Sequence, residues 1–192
     1  MTGRQRFRSV VAPLPVSSAA LAYAEERHAG QKRKADGAPF IEHPLEVAWL
    51  LYRAGAPDRV IAAGVLHDTL EKTDADAGEL LTRFGAETTE LVLAVSDDPR
   101  IRTYSRRKAA LRTQVAEAGS EALMVFAADK ISKVREYSLG ASAKRPSQRR
   151  LTHYRRCLEL LERRLSDSPL VAQLRSEFDR LTAAPAFRPA FA

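Results

Sequence analysis

Between Ser17 and Leu181 the apolar residues recur three and four positions apart almost everywhere, and no stretch alternates convincingly. Such spacing lays an apolar stripe along a helix, whereas a half-buried strand needs a period of two. The chain is therefore expected to be all-α, a helical bundle around one core. Its 192 residues suit a single domain with a sizeable interior.

Punctuation divides the stripe into segments. Ser17 or Ser18 can cap a helix reaching about His28, with Leu21, Ala24 and His28 on one face. Gly37 and Pro39 mark residues 30–42 as a loop, and Pro44 suits the first turn of a helix running to about Arg53. After Gly55 and Pro57, Asp58 can cap a helix that carries Val60 to Leu66 towards His67 and Asp68. Asp76 opens a helix ending near Gly85, and another spans Glu87 to Val95. Ser105 opens a basic helix ended by Gly119, and Ser120 caps an apolar one, Leu123 to Val134, containing Asp129. The last two helices cover Ser147–Leu165 and Ser168–Leu181. Residues 1–16, charged and broken by Pro13 and Pro15, read as a flexible leader; 17–182 form the domain; 183–192, rich in alanine and proline, read as a flexible tail.

The balance of charge is +7, which favours an anionic partner or simply coats the helices with solvated cations. Nucleic acid is not the expected partner. The pairs Arg149-Arg150 and Arg155-Arg156 flank Tyr154, but no nucleic-acid motif accompanies them and aromatics are only 7%. No apolar run approaches the ~20 residues of a membrane span, and no apolar segment follows the charged start. The single cysteine, Cys157, excludes an internal disulfide, so the cytoplasm is the expected compartment. A homo-oligomer stays open.

Chemistry concentrates at His67-Asp68, an adjacent pair closing the apolar run Val60–Leu66. Burying both is costly unless they are paired or bound to metal. His43 precedes a proline at a helix start, and Asp129 follows the apolar run Leu123–Ala128. Two imidazoles and two carboxylates would suit Mn, Fe(II) or Zn and leave positions for water and substrate. Each residue also has a plainer reading. A histidine near a helix start often packs or caps, and Asp129 can pair with Lys130 or Arg135. The spacing of these residues does not choose between the two readings.

A resemblance bears on the choice. The run His28 to Lys34, continuing through Asp36-Gly37-Ala38-Pro39-Phe40-Ile41-Glu42-His43-Pro44, resembles the start of the hydrolase domain of RelA/SpoT-type alarmone enzymes. Leu66 to Thr73, Phe84-Gly85, Val95 to Asp98 and Ala128 to Arg135 extend the resemblance, in order, over about residues 18–165. The whole is similar to the small stand-alone alarmone hydrolases. The resemblance implies an HD-domain phosphohydrolase with one Mn²⁺ (Zn or Fe being alternatives) on His43, His67, Asp68 and Asp129. His28 matches no ligand position. The implied reaction is release of the 3′-pyrophosphate from guanosine tetra- or pentaphosphate, with adenosine alarmones or NADPH as alternative substrates.

The same resemblance implies roles around the metal. Glu71, four residues after His67, would handle the attacking water, and Lys72 stands where the family has an aspartate partner. Arg33, Lys34, Lys130, Lys133 and Tyr154 would face the nucleotide polyphosphate, Lys133 replacing a family asparagine. Lys72 could also compete for the Asp68 carboxylate. Both lysines favour holding a polyphosphate over cutting it, so a nucleotide-binding protein with weakened catalysis is the alternative to a working hydrolase.

Overall fold

The computed structural model describes residues 3–34, 36–139 and 146–183. Among the described residues ten helices follow one another: α1 (Gly3–Val11), α2 (Pro15–Arg27), α3 (Glu42–Arg53), α4 (Asp58–Leu66), α5 (Thr69–Lys72), α6 (Ala77–Val95), α7 (Tyr104–Ala118), α8 (Ser120–Leu139), α9 (Gln148–Arg164) and α10 (Pro169–Ala183). Among the described residues there is no strand; the one β-type pairing is an isolated bridge between Lys32 and Pro39. None of the described helices is long and apolar enough to cross a membrane.

The sequence pattern explains the layering. Every residue from Val60 to Leu66 is buried, so α4 cannot be a surface helix with one wet face. It lies between α2, α3, α6 and α8. Gly64 sets its distance from α3, because a Cβ there would overlap Leu51 Cδ1 and sit 3.4 Å from Val47 Cγ1. Helix α8 is the second central element, packing against α3, α4, α6, α7, α9 and α10. Its run Ala122 to Ala128 is buried except for the half-buried Met124. These two axial helices deliver His67 and Asp129 to the interior.

Two caps work differently from the expectation. Ser17 lies inside α2 rather than at its start, and Asp58, at the first position of α4, caps α2 instead. The Asp58 carboxylate accepts the Val16 and Ser17 backbone N–H groups at 3.0 and 2.8 Å, satisfying donors that a helix start leaves open. The Ser17 hydroxyl adds a bond to the same carboxylate at 2.5 Å. The break expected at Gly85 is a kink: the residue has φ 79° within a helix that otherwise runs on to Val95.

The expected flexible leader is corrected over most of its length. Gly3–Val11 is helical, and Phe7 and Val11 are buried at 2% and 1% exposure. These side chains stand four residues apart on one face, which packs against α2 and α3. The surrounding Arg4, Arg6 and Arg8 obscure that short apolar pair in the sequence. The expected tail falls, from residue 184 onwards, outside the described residues.

Candidate metal centre

His43 enters at the second position of α3, directly after the 31–40 turn, and is fully buried. His67 and Asp68 come from the joint between α4 and α5, and Asp129 from the middle of α8. Three elements distant in sequence thus meet at one point. The His43 and His67 Nε2 atoms are 3.1 Å apart. Asp129 Oδ1 lies 3.2 Å from the first and 3.6 Å from the second. Asp68 Oδ2 lies 3.5 and 3.6 Å from them. Ligand atoms of His43, His67 and Asp129 all fall within 4.8 Å of one another.

The hydrogens around these atoms can be assigned from their partners. His67 Nδ1 is 2.8 Å from the Gly64 carbonyl, which only accepts, so Nδ1 carries the hydrogen and Nε2 presents a lone pair. His43 Nδ1 is 2.8 Å from the Ser132 hydroxyl, whose own hydrogen goes to Glu46 Oε2 at 2.7 Å. Ser132 must therefore accept from His43, and the second Nε2 also presents a lone pair. Glu46 is held in turn by Arg135 at 2.9 Å, and Arg135 by the buried Glu177 at 2.7 Å. A chain of polar contacts from α10 to α3 thereby fixes one ring nitrogen.

Two lone pairs face each other at 3.1 Å with no hydrogen between them, and two buried carboxylate oxygens, Asp68 Oδ2 and Asp129 Oδ1, have no hydrogen-bond partner. This arrangement is costly by itself and is relieved by a cation. A cation about 2.1 Å from each donor spaces neighbouring donors about 3.0–3.4 Å apart, close to what is seen. The residues present fit a divalent metal, and the nitrogen and oxygen donors suit Mn, Fe or Zn.

The electrostatics agree. Burial opposes charge on Asp68, but both imidazoles and Lys133 outweigh it and bring its pKa to about 2. Burial likewise opposes charge on Asp129, and Lys130 with the two imidazoles holds its pKa well below the usual range. Burial, reinforced by Lys133, brings His43 down to about 4. For His67 the two carboxylates overcome burial and raise its pKa. Two ionised carboxylates in a dry site thus draw positive charge.

The other expected residues divide into several groups. Lys133 reaches the cluster, with Nζ 3.9 Å from Asp68 Oδ2 and 5.7 Å from the Phe40 ring centre. Among the described residues it is Lys133, not Lys72, that stands by Asp68 as a cation. Lys130 is buried, paired with Asp129, and lies 4.4 Å from the Phe126 ring centre, so it backs the Asp129 carboxylate. Glu71 is exposed, and its Oε1 accepts the Asp97 backbone N–H at 2.7 Å. Lys72 is also exposed, and its carbonyl accepts from Gln31 at 2.9 Å. Arg33 pairs with Asp36 through Nε at 3.1 Å, and Lys34 is exposed. Tyr154 is buried between Tyr137 and His153, at ring separations of 6.2 and 5.6 Å. Burial, then Tyr137 and the Asp129 charge, push its phenol well above the usual range.

Sequence reasoning missed Ser132, Glu46 and Glu136. Ser132 stands three residues after Asp129, and Glu46 three after His43, so both share a helical face with a candidate ligand. That offset was the available signal. Glu136 Oε1 is 3.8 Å from His43 Nδ1 and 3.9 Å from Lys133 Nζ, and burial raises its pKa against Lys133 and Arg33. The arginines that suggested nucleic acid are partly taken up internally: Arg149 lies 4.5 Å from the Tyr104 ring centre, and Arg150 donates to the Tyr137 hydroxyl at 2.6 Å.

Comparison with known proteins gives this geometry a family. A human guanosine-3′,5′-bis(diphosphate) 3′-pyrophosphohydrolase is 36% identical over 117 residues, covering 59% of this chain and 65% of that protein. An Aquifex aeolicus enzyme of the same name is 42% identical over 85 residues, 44% of this chain and 12% of its own length. The chain thus spans 65% of the human relative's length and far less of the bacterial one's. A solved metazoan orthologue of SpoT, described as hydrolysing ppGpp, shares the fold with a TM-score of 0.74 at 23% identity, over 88% of this chain and 96% of that one. A Listeria monocytogenes crystal structure matches with a TM-score of 0.63 at 25% identity, over 71% and 96%. The HD domain family matches residues 20–154, a span that contains the whole histidine–aspartate cluster, and the chain belongs to that family.

Proposed function

We propose that the protein is a metal-dependent phosphohydrolase that removes the 3′-pyrophosphate from guanosine 3′,5′-bis(diphosphate) or its pentaphosphate counterpart. The observation that carries the reading is the pair of Nε2 lone pairs 3.1 Å apart beside two unpartnered carboxylate oxygens. The names of the human and Aquifex aeolicus relatives support the substrate. One divalent ion, with Mn²⁺ as the proposed metal, would be held by His43, His67, Asp68 and Asp129. When bound, such an ion polarises a phosphate oxygen and makes water a better nucleophile near neutral pH. The proposed site of action is the cytoplasm.

The chain's own groups do the rest. Ser132 and the Gly64 carbonyl keep both imidazoles in the tautomer that offers Nε2. Lys130 holds Asp129 ionised and in place, so it positions a ligand rather than touching phosphate. Glu71 has one oxygen on the Asp97 N–H, which leaves the other to take a proton from water. Lys133 and Arg33 offer positive charge to phosphate on the Phe40 side, Lys34 adds charge from the exposed turn, and Tyr154 lies towards the α9 side.

A second reading is a nucleotide sensor with weak turnover. It is favoured by Lys72, which gives the exposed α5 a cation beside Glu71 rather than a second acid. Adenosine alarmones and NADPH are the alternative substrates. The deciding experiment is Mn²⁺-dependent turnover on guanosine and adenosine 3′-diphosphate nucleotides and NADPH. Release of pyrophosphate supports the hydrolase. Saturable binding of guanosine tetraphosphate without release supports the sensor.

A further inference from the structure

Helix α5 has only four residues, too few to hold its own place, because one helical turn fixes many dihedrals for few hydrogen bonds. Its chain leaves the helix immediately: Thr73 is extended, at φ −131° and ψ −174°, so the Lys72 carbonyl has no helical donor ahead of it. Gln31 supplies that donor, with Nε2 2.9 Å from Lys72 O. The amide of Gln31 can face only one way. A carbonyl accepts, so the NH₂ end must point to Lys72, and the oxygen end then lies 3.0 Å from His28 Nδ1. His28 is buried at 3% exposure and donates its Nδ1 hydrogen to that oxygen. The Gln31 backbone is also committed: its N–H goes to His28 O at 3.1 Å, and its carbonyl accepts from Phe40 N–H at 2.8 Å, three residues before His43.

We propose that Gln31, oriented by His28, is a positioning residue that sets Glu71 by clamping the far end of α5. The near end is pinned by Thr69, whose hydroxyl donates to Leu66 O at 2.7 Å, and Glu71 itself is caught by the Asp97 N–H at 2.7 Å. Gln31 therefore ties three things together: the end of α2, the turn that leads into His43, and the short helix that carries the proposed water-handling acid. His28 thereby acquires a role although it is no ligand. This inference rests on the reading of Glu71 given above.

The test compares Gln31→Glu, His28→Leu and His28→Asn in the full chain loaded with Mn²⁺, with guanosine tetraphosphate as substrate. In Gln31→Glu one oxygen still meets His28, but the other faces Lys72 O without a hydrogen. His28→Leu removes the orienting donor, whereas an asparagine amide can imitate Nδ1–H. Small displacements of a reacting group cost rate steeply, so kcat should fall about 10-fold in Gln31→Glu and His28→Leu, with KM and metal content unchanged. His28→Asn should recover most of kcat. Amide hydrogen exchange of residues 69–73 should quicken in the two damaged variants and not in His28→Asn. Unchanged kcat and unchanged exchange in Gln31→Glu would overturn the clamp, as would a raised KM at constant kcat. If the unsubstituted protein releases no pyrophosphate yet Gln31→Glu still loosens residues 69–73, the clamp stands and the hydrolase reading fails.

Discussion

The cluster of His43, His67, Asp68 and Asp129 and the adjoining rim, made by the 31–40 turn and α5, are held in different ways. In the cluster His43, His67 and Asp68 are buried, Asp129 is nearly so, and each imidazole is oriented by a polar partner inside the core. On the rim Glu71, Lys72 and Lys34 are exposed, and Arg33 is tied to Asp36 within its own turn. The cluster belongs to the folding core, so altering it should disturb binding and stability together. The charged side chains of the rim lie outside the core, so altering them should change rate and leave the fold alone. In this chain the departures implied by the family resemblance, Lys72 and Lys133, fall on the rim or at its border, and none falls on the four candidate ligands.

The largest effect expected from this contrast is at Asp129. Asp129→Ala leaves the buried Lys130 ammonium without its carboxylate, and a broken buried pair costs about 3–5 kcal/mol. It also removes one of the atoms that face both imidazoles. Denaturant unfolding and metal analysis on the same sample should show both losses. A variant that keeps its stability and a full complement of metal would break the idea that the cluster is both core and metal site.

Ser132→Ala is expected next. It takes the acceptor from His43 Nδ1–H and leaves Glu46 with Arg135. Removing such a partner behind a ligand typically costs about 10- to 100-fold in metal affinity. A competition titration with a chelator measures it. An unchanged affinity would mean that burial alone orients His43.

The fold was legible because helical spacing and Gly or Pro breaks survive in any sequence that buries one stripe per helix. Every element expected between residues 17 and 182 is present, with ends shifted by a few residues at most and with two helices joined across the Gly85 kink. Illegible was whatever depends on distant partners. Asp58 reads as the cap of its own helix, yet its carboxylate serves α2, 41 residues earlier in sequence at Ser17. The residues expected to bind metal converge, because an ionisable pair closing an apolar run has few other stable fates. Lys130 was left open between a phosphate contact and a counter-ion, because burial, which pairs it with Asp129, cannot be read from an Asp-Lys dipeptide. The helix of Phe7 and Val11 was hidden by the arginines around it.

Asp58 supplies the third prediction and a control for the comparison. Asp58→Ala strips the start of α2 of its acceptor without touching the cluster or the rim. Loss of such a cap costs about 1–2 kcal/mol, visible as a lower denaturation midpoint at unchanged metal stoichiometry. If metal content fell as well, stability and binding could no longer be separated, and the Asp129 result would lose its specific meaning.

The smallest expected effect on stability is at Lys72. Its side chain is exposed, so Lys72→Asp should leave unfolding free energy within about 0.5 kcal/mol. Its effect on rate should be plain even so. The substitution sets a second carboxylate next to Glu71 on α5 and removes a cation whose field reaches His28. An exposed acid is oriented by few contacts, so the gain in kcat should be about 3- to 10-fold, short of the roughly 10²–10⁴ that a well-placed general base supplies. Steady-state pyrophosphate release measures it, with KM expected to rise as positive charge is lost. A faster enzyme of unchanged stability would make the rim the place where this chain's rate is set. No change in kcat would put Lys72 outside the reacting shell and leave Glu71 as the acid of α5 that bears on the reaction.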